Sequence, residues 1–368
     1  MNICVFCGAR PNFMKVAPII RAIEGKQNSG IHYSLVYAGT QSDPTLEPEL
    51  FDDLQIAPPN TFLGVECENL NELTGQVMSK FELYLQNHPT DTVIVVDDLA
   101  STMAAAIVTK KQSITLAHIS AGTRSFDINM PKEINRLVID GLSDILFTAG
   151  FSNNSIANKE GAELSKVYMV GNILIDNIRY NKSRREHLSF DVITETKHLN
   201  LQAHRYIVFT LNRKALLSDK ENLTRMLTAL ISSTGDTIVI APLRGEAVRT
   251  IKSLDIELGD RFKFINPLSY LEFGYITEHA LGIVTDSGNV AEEATFNGVP
   301  CITLNSYTEH IETVKQGTNV LVGESPEKLA SELRKMVSGE WKISSLPDRW
   351  DGRSAERIIS ILIEHHRV

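Results

Sequence analysis

The chain has 368 residues, 43% hydrophobic and 22% charged. At roughly 100–200 residues per domain that gives about two globular domains, and it excludes a disordered or collagenous chain. A formal net charge of −9 and an isoelectric point near 5.6 exclude a general nucleic-acid binder, which needs a broad basic face. A local basic cleft for a small anion stays open. Mean hydropathy is −0.07 and no apolar run approaches the roughly 20 residues of a membrane span, so no membrane partner and a cytoplasmic setting are expected.

The first apolar run, Asn2–Phe6, reads as a β-strand and not as a signal peptide, because no basic segment and long apolar core precede a cleavage site. Cys4 and Cys7 fall inside or beside it, and Cys67 and Cys301 are scattered, with no second Cys/His pair at zinc spacing. The Cys4–Cys7 pair reads as buried strand cysteines, with a redox or metal pair as the alternative. The ten histidines form no HExxH or HxH pattern, so neither a metal nor a cofactor is expected.

Further strands are predicted at Tyr33–Tyr37, Thr92–Val96, Ile114–Ile119, Ile145–Thr148 and Val167–Val170, separated by segments long enough for helices. After a charged, strand-poor stretch over Asn181–His204 the rhythm restarts at Tyr206–Thr210, Thr237–Ile240, Phe262–Ile265, Leu281–Thr285, Cys301–Leu304 and Val320–Val322. This is the alternation of two doubly wound α/β domains, with the boundary in the region 172–204. The segment Ser354–His365 carries a helical apolar stripe at Ala355, Ile358, Ile359 and Leu362 that must dock on another element.

Doubly wound sheets bind ligands beyond the carboxyl ends of their strands. Three strand-to-helix turns there hold suitable groups. The first is Cys7–Pro11, where Gly8 permits a tight turn, Arg10 offers a planar fork for phosphate and Lys15 adds a cation on the following helix. Pro18 predicts a kink or an irregular start in that helix. The second, Thr285–Ala294, runs from Asp286 through Ser287 and Gly288 into a helix whose free N–H groups suit a diphosphate, with Glu293 a turn further on; Ser287 as a simple cap is the alternative. The third comprises Val96–Thr102 and His118–Arg136, where Asp98 is either a site carboxylate or the cap of the next helix.

Taken in order, these turns resemble the non-hydrolysing UDP-N-acetylglucosamine 2-epimerases over almost the whole chain. The similar stretches are Gly8–Asn12 with Lys15 and Ala17–Ile19, Asp97–Thr102, His118–Ser125 with Pro131–Arg136, Val170–Asn172 with Asp176, Leu268 with Tyr270 and Phe273, and Thr285–Ala294. The resemblance implies a GT-B architecture of two Rossmann-like domains. It places them at 1–172 and 173–345, with a helix at 346–368 packing back on the first, a UDP-sugar in the cleft between the domains and a homodimer. It implies that Arg10, Ser287, Gly288 and Glu293 contact diphosphate and ribose, that Phe273 lies near the uracil, and that Lys15 and Arg213 serve the same cleft. Cell-envelope polysaccharide synthesis is the family's usual setting.

The implied reaction removes the C2 proton, expels UDP to give a 2-acetamidoglucal, and adds UDP back after protonation of the other face. Asp98 matches a family acid/base position. The other three such positions differ, being Ser120 and Lys132 in place of glutamates and Asn212 in place of a histidine. Serine and asparagine do not titrate near neutrality, and Lys132 reverses the charge. Three functions are therefore weighed: an epimerase working through Asp98 with rearranged partners, a non-catalytic UDP-sugar binder, and a glycosyltransferase of the same architecture.

Overall fold

The computed structural model describes residues 1–26, 30–160 and 165–366. The chain divides into two compact units, Met1–Tyr180 with Asp348–Val368, and Asn181–Pro347.

The first unit alternates strands and helices in the order β1 (Asn2–Cys7), α1 (Arg10–Glu24), β2 (His32–Tyr37), α2 (Pro48–Leu54), β3 (Thr61–Phe62), α3 (Leu70–Asn87) and β4 (Thr92–Val96). It continues through α4 (Ala100–Lys111), β5 (Thr115–Ile119), α5 (Pro131–Leu142), β6 (Ile145–Thr148), α6 (Phe151–Glu160), β7 (Lys166–Met169) and α7 (Ile173–Tyr180). All strand pairs are parallel, in the order β3-β2-β1-β4-β5-β6-β7. Strands such as β4, buried at every position, read as unbroken apolar runs because helices cover both faces of the sheet. The two-residue edge strand β3 has no such run, which is why the sequence does not announce it.

The second unit holds α8 (Lys182–Arg185), β8 (Tyr206–Phe209), α9 (Lys214–Ser218), α10 (Lys220–Thr234), β9 (Ile238–Pro242), α11 (Gly245–Lys252) and β10 (Phe262–Ile265). Then come α12 (Tyr270–Glu278), β11 (Gly282–Thr285), α13 (Gly288–Asn297), β12 (Cys301–Thr303), α14 (Ile311–Lys315), β13 (Asn319–Leu321) and α15 (Pro326–Ser338). Its parallel sheet runs β10-β9-β8-β11-β12-β13. The last helix, α16 (Ser354–His366), belongs to the first unit.

The chain leaves the first unit after Tyr180 and not at residue 172, because α7 packs on α1 and α16. Ala355, Ile358, Ile359 and Leu362 of α16 are all buried. The N-terminus of α16 is fixed by Asp176 of α7, whose carboxylate accepts from the backbone N–H of Ser354 (3.1 Å) and Ala355 (2.8 Å). Gly171 makes room for this docking. Its φ is +101°, and a Cβ there would lie 2.0 Å from the carbonyl oxygen of Arg349.

Pro18 lies inside a continuous α1, where the sequence predicts a kink or an irregular start. The proline removes the amide that would bond the carbonyl of Met14. That carbonyl instead accepts from the Asn177 side-chain amide of α7, so the gap in the ladder is filled from outside the helix. Cys4, Cys7 and Cys301 are buried on strands, but Cys67 is half-buried and lies on a loop, its thiol donating to the Asn69 carbonyl. Among the described residues no helix is long and apolar enough to cross a membrane, and no group of three His, Cys, Asp or Glu side chains could hold a metal.

Candidate active site

Each sheet reverses its strand order once, and the ligand crevice of such folds lies at that reversal, beyond the carboxyl ends of the strands. In the first unit it falls between β1 and β4, which puts the Gly8–Arg10 turn beside Asp97 and Asp98. In the second it falls between β8 and β11, which puts Leu211–Arg213 beside Asp286 and Ser287.

At the first reversal Gly8 is needed for close approach, since a Cβ there would lie 2.0 Å from the Ser101 hydroxyl of α4. Asn12 organises the turn. Its side-chain oxygen accepts from the N–H groups of Gly8 (2.9 Å) and Ala9 (3.2 Å), and its amide donates to Asp97 (3.1 Å). Lys15, almost buried, donates to Asp97 (2.5 Å) and to the Ser120 hydroxyl (3.3 Å). Arg10 opens α1 and has a loose ion pair, 4.0 Å, with the exposed Glu47. Such a pair contributes little.

Asp98 does not cap α4. Leu99 holds the cap position, and the Asp98 carboxylate turns to α5, where Arg136 donates to it through Nε (2.8 Å) and Nη2 (2.6 Å). The Asn135 side chain also donates to the Asp98 carbonyl (2.8 Å). Lys132, one turn earlier on α5 and 58% exposed, places its ammonium 3.5 Å from the same carboxylate. The neighbouring carboxylates serve other purposes. Glu133 accepts from the Ser125 amide and hydroxyl, the Phe126 amide and Arg136, shaping the β5–α5 loop. Burial opposes its ionisation, but these donors outweigh it and hold the carboxyl below the usual range.

At the second reversal Asp286 is the organiser, accepting from the backbone N–H groups of Asn212 and Arg213, both at 2.6 Å. The Arg213 guanidinium turns to Asn305 (2.9 Å), the Leu304 carbonyl (3.2 Å) and Glu324, so it ties strand ends together. Asn212 is exposed and carries no titratable group. Ser287 stands at the N-cap of α13, but its side chain makes no capping bond, so the simple-cap alternative does not describe it. Gly288 is crossed by the His310 ring; a Cβ there would lie 2.6 Å from ring atoms Cδ2 and Nε2. His310 Nδ1 in turn meets the buried Glu292 at 2.7 Å. Glu293 is pushed up to about 7 by burial, with Arg185 acting against and the Glu292 charge adding to the rise. Phe273 packs against the apolar core beside α12, close in sequence to the Ser269–Glu272 capping box.

The structure thus brings Lys15 to Ser120 and Lys132 to Asp98, and it sets Asn212, Arg213 and Ser287 around Asp286. Within its own unit, and among the described residues, Arg10 is paired with Glu47 and with none of the expected site residues. Sequence reasoning missed Arg136, Asp286 and the His310–Glu292 pair as organisers. Arg136 had a signal, being one helical turn from Lys132 and Glu133; His310 had none, since it reaches Glu292 from another element.

Residues 23–363 match the family model described as UDP-N-acetylglucosamine 2-epimerase. A UDP-N-acetylglucosamine 2-epimerase homolog of Methanococcus maripaludis is 35% identical over 91% of this chain and 92% of its own. The UDP-2,3-diacetamido-2,3-dideoxy-D-glucuronate 2-epimerase of Pseudomonas aeruginosa is 30% identical over the same shares, 91% and 92%. The crystal structure of Methanocaldococcus jannaschii UDP-GlcNAc 2-epimerase in complex with UDP-GlcNAc and UDP is similar at 30% identity and a TM-score of 0.83, covering 99% of this chain and 100% of that one. The fold is GT-B.

Proposed function

Because the chain belongs to the UDP-N-acetylglucosamine 2-epimerase family, we propose that it binds UDP-N-acetylglucosamine or a related UDP-2-acetamido sugar and interconverts it with the manno epimer. The reaction is elimination and re-addition of UDP. Removal of the C2 proton supplies the electron pair of the new C1–C2 double bond, and the C1–O bond breaks toward the β-phosphate. Return of a proton to C2 on the other face and re-addition of UDP complete the exchange.

The observation that carries this reading is the double hydrogen bond from Arg136 to Asp98 at the carboxyl end of β4. It fixes one carboxylate in a strand-end crevice, as a general acid or base requires. The nucleotide half of the reading rests on Ser287 and Gly288, whose turn leaves first-turn N–H groups of α13 for an anion. Glu293 is the group for ribose hydroxyls, and Arg10 and Lys15 supply positive charge for the diphosphate.

A second reading, a UDP-sugar binder without turnover, is favoured by Lys132 at 3.5 Å from Asp98 and by a Ser120 hydroxyl already engaged by Lys15. Incubation with UDP-N-acetylglucosamine in heavy water separates the two. The epimerase incorporates deuterium at C2 and yields some UDP-N-acetylmannosamine. A binder is stabilised thermally by UDP yet shows neither product nor exchange at high protein concentration, and that outcome overturns the first reading.

A homodimer and a cytoplasmic setting are proposed with it. Helix α5 supports the dimer, since it turns Glu133, Arg136 and Asp140 inward and leaves Ile134 (47%) and Leu137 (40%) exposed, an apolar face that a second copy would cover. A chain that is monomeric by light scattering overturns the dimer.

A further inference from the structure

We infer that His118 is a positioning residue that carries a proton on both ring nitrogens and thereby holds the Asp97–Asp98 loop in its working shape. The inference concerns a buried group at the end of β5 that the proposed chemistry does not touch, and its functional half rests on the epimerase reading. The His118 side chain is 2% exposed. Its Nδ1 lies 2.6 Å from Asp140 Oδ1, and its Nε2 lies 3.0 Å from the carbonyl oxygen of Asp97.

A backbone carbonyl can only accept, so Nε2 must donate. Asp140 also only accepts. Its second oxygen takes the Gly122 N–H (3.0 Å) and the Arg124 guanidinium (2.7 Å), and Arg124 continues to Glu160 (2.8 Å). Burial resists ionisation of Asp140, but the His118 hydrogen bond and the His118 and Arg124 charges win and keep it below the usual carboxylate range. With an acceptor at each ring nitrogen, a neutral imidazole would leave one lone pair facing another between side chains that are both 2% exposed. The imidazolium meets both acceptors. Its charge and that of Arg124 face the buried Asp140, and the exposed Glu160 takes the other side of Arg124, so each buried charge has an opposite partner.

What this charge holds is a backbone that does not hold itself. Asp97 has φ +61°, a left-handed conformation that costs of order 1–3 kcal/mol for a side chain other than glycine and persists only when its surroundings over-determine it. Here every polar group of Asp97 is taken. Its N–H goes to the Ile119 carbonyl (3.3 Å), its carboxylate to Lys15 and Asn12, and its carbonyl to His118. Asp98 follows directly, so the direction of its carboxylate toward Arg136 depends on the Asp97 carbonyl staying on His118. The charged groups facing this cluster within its unit are Asp140 and Arg124 from α5 and its preceding loop, Glu160 from α6, and Asp97 with its partner Lys15.

The experiment uses the full chain with ¹⁵N-labelled histidine. At neutral pH the expected result is two ring N–H signals on one buried histidine, both absent in H118Q, and one of them lost in D140N, where the anionic acceptor is gone. A single ring N–H on His118 in the unaltered chain overturns the inference, whatever the protein catalyses. The functional half is read in the C2 exchange assay, where H118Q lowers kcat at least tenfold and leaves KM for the UDP-sugar within about twofold. Unchanged kcat in a folded H118Q chain overturns that half. If H118Q does not fold, D140N carries both measurements, with the same tenfold fall expected. Absence of exchange in the unaltered chain is a failure of the epimerase reading alone, since the ring signals do not depend on it.

Discussion

The ammonium of Lys132 and the carboxylate of Asp98 lie 3.5 Å apart across the loop after β4 and the first turn of α5. The resemblance expects a carboxylate where this ammonium stands. At that separation unit charges interact by about 1 kcal/mol in water and by several times that at a half-buried site. Replacing Lys132 by an acid therefore changes an attraction into a repulsion at the one acid/base residue that matches the family.

The triple variant S120E/K132E/N212H returns three groups to the types that the resemblance expects. We expect its rate of C2 deuterium incorporation to exceed that of the unaltered chain at least tenfold. Lys132→Ala alone is expected to change thermal stability little, because an exposed partner contributes about 0–1 kcal/mol. Equal exchange in the triple variant and the parent would show that these side chains do not limit turnover.

Arg136 is buried between two carboxylates, Asp98 and Glu133. Removing it leaves the buried Glu133 without its cation and Asp98 with only the exposed Lys132, and breaking a buried pair this way costs about 3–5 kcal/mol. Chemical denaturation of Arg136→Met should show a loss of that size. The variant should also lose C2 exchange even at temperatures where it stays folded.

Gly288→Ala tests the close approach of His310 to α13. The new methyl would lie 2.6 Å from the ring, so either the ring or the helix start must move. Titration calorimetry with UDP should show affinity weakened about tenfold or more, roughly 1.4 kcal/mol, with melting temperature shifted only by a few degrees. A parent-like affinity would remove this turn from the nucleotide site.

Asp176 supplies a pH dependence. Burial pushes its carboxyl up to about 6, against the pull of the Ala355 and Ser354 hydrogen bonds, while an unfolded aspartate titrates near 3.9. The folded chain thus binds more protons than the unfolded chain between these values. Its contribution to stability is complete below about pH 4 and is lost as pH rises through 6, by at most about 3 kcal/mol. Melting curves from pH 4 to 7.5 on the parent and on Asp176→Asn should differ by this slope, which the amide abolishes. Parallel curves would contradict the assignment.

Most of the strands were legible as short apolar runs, and β4, β6 and β10 match the sequence reading at both ends. The reversals of strand order were not legible, since pairing of β1 with β4 and of β8 with β11 is a long-range choice that no local pattern encodes. At the site the sequence points to residues but not to their partners. Arg213 reads as a phosphate ligand, yet its guanidinium spans Asn305, Leu304 and Glu324, and Asp98 reads equally well as a cap until Arg136 is seen to hold it.

The bond from Asn177 to the Met14 carbonyl makes α1 a spliced helix. Its front two turns carry Arg10, Asn12 and Lys15, its rear turns pack on the sheet, and the hydrogen-bond ladder is interrupted between them at Pro18. The splice is supplied by α7, the same helix whose Asp176 anchors α16. A side chain that touches neither Asp97 nor Ser120 thereby sets where the Lys15 ammonium stands, and a loosened α7 would be felt first as a displaced cation at the end of β4.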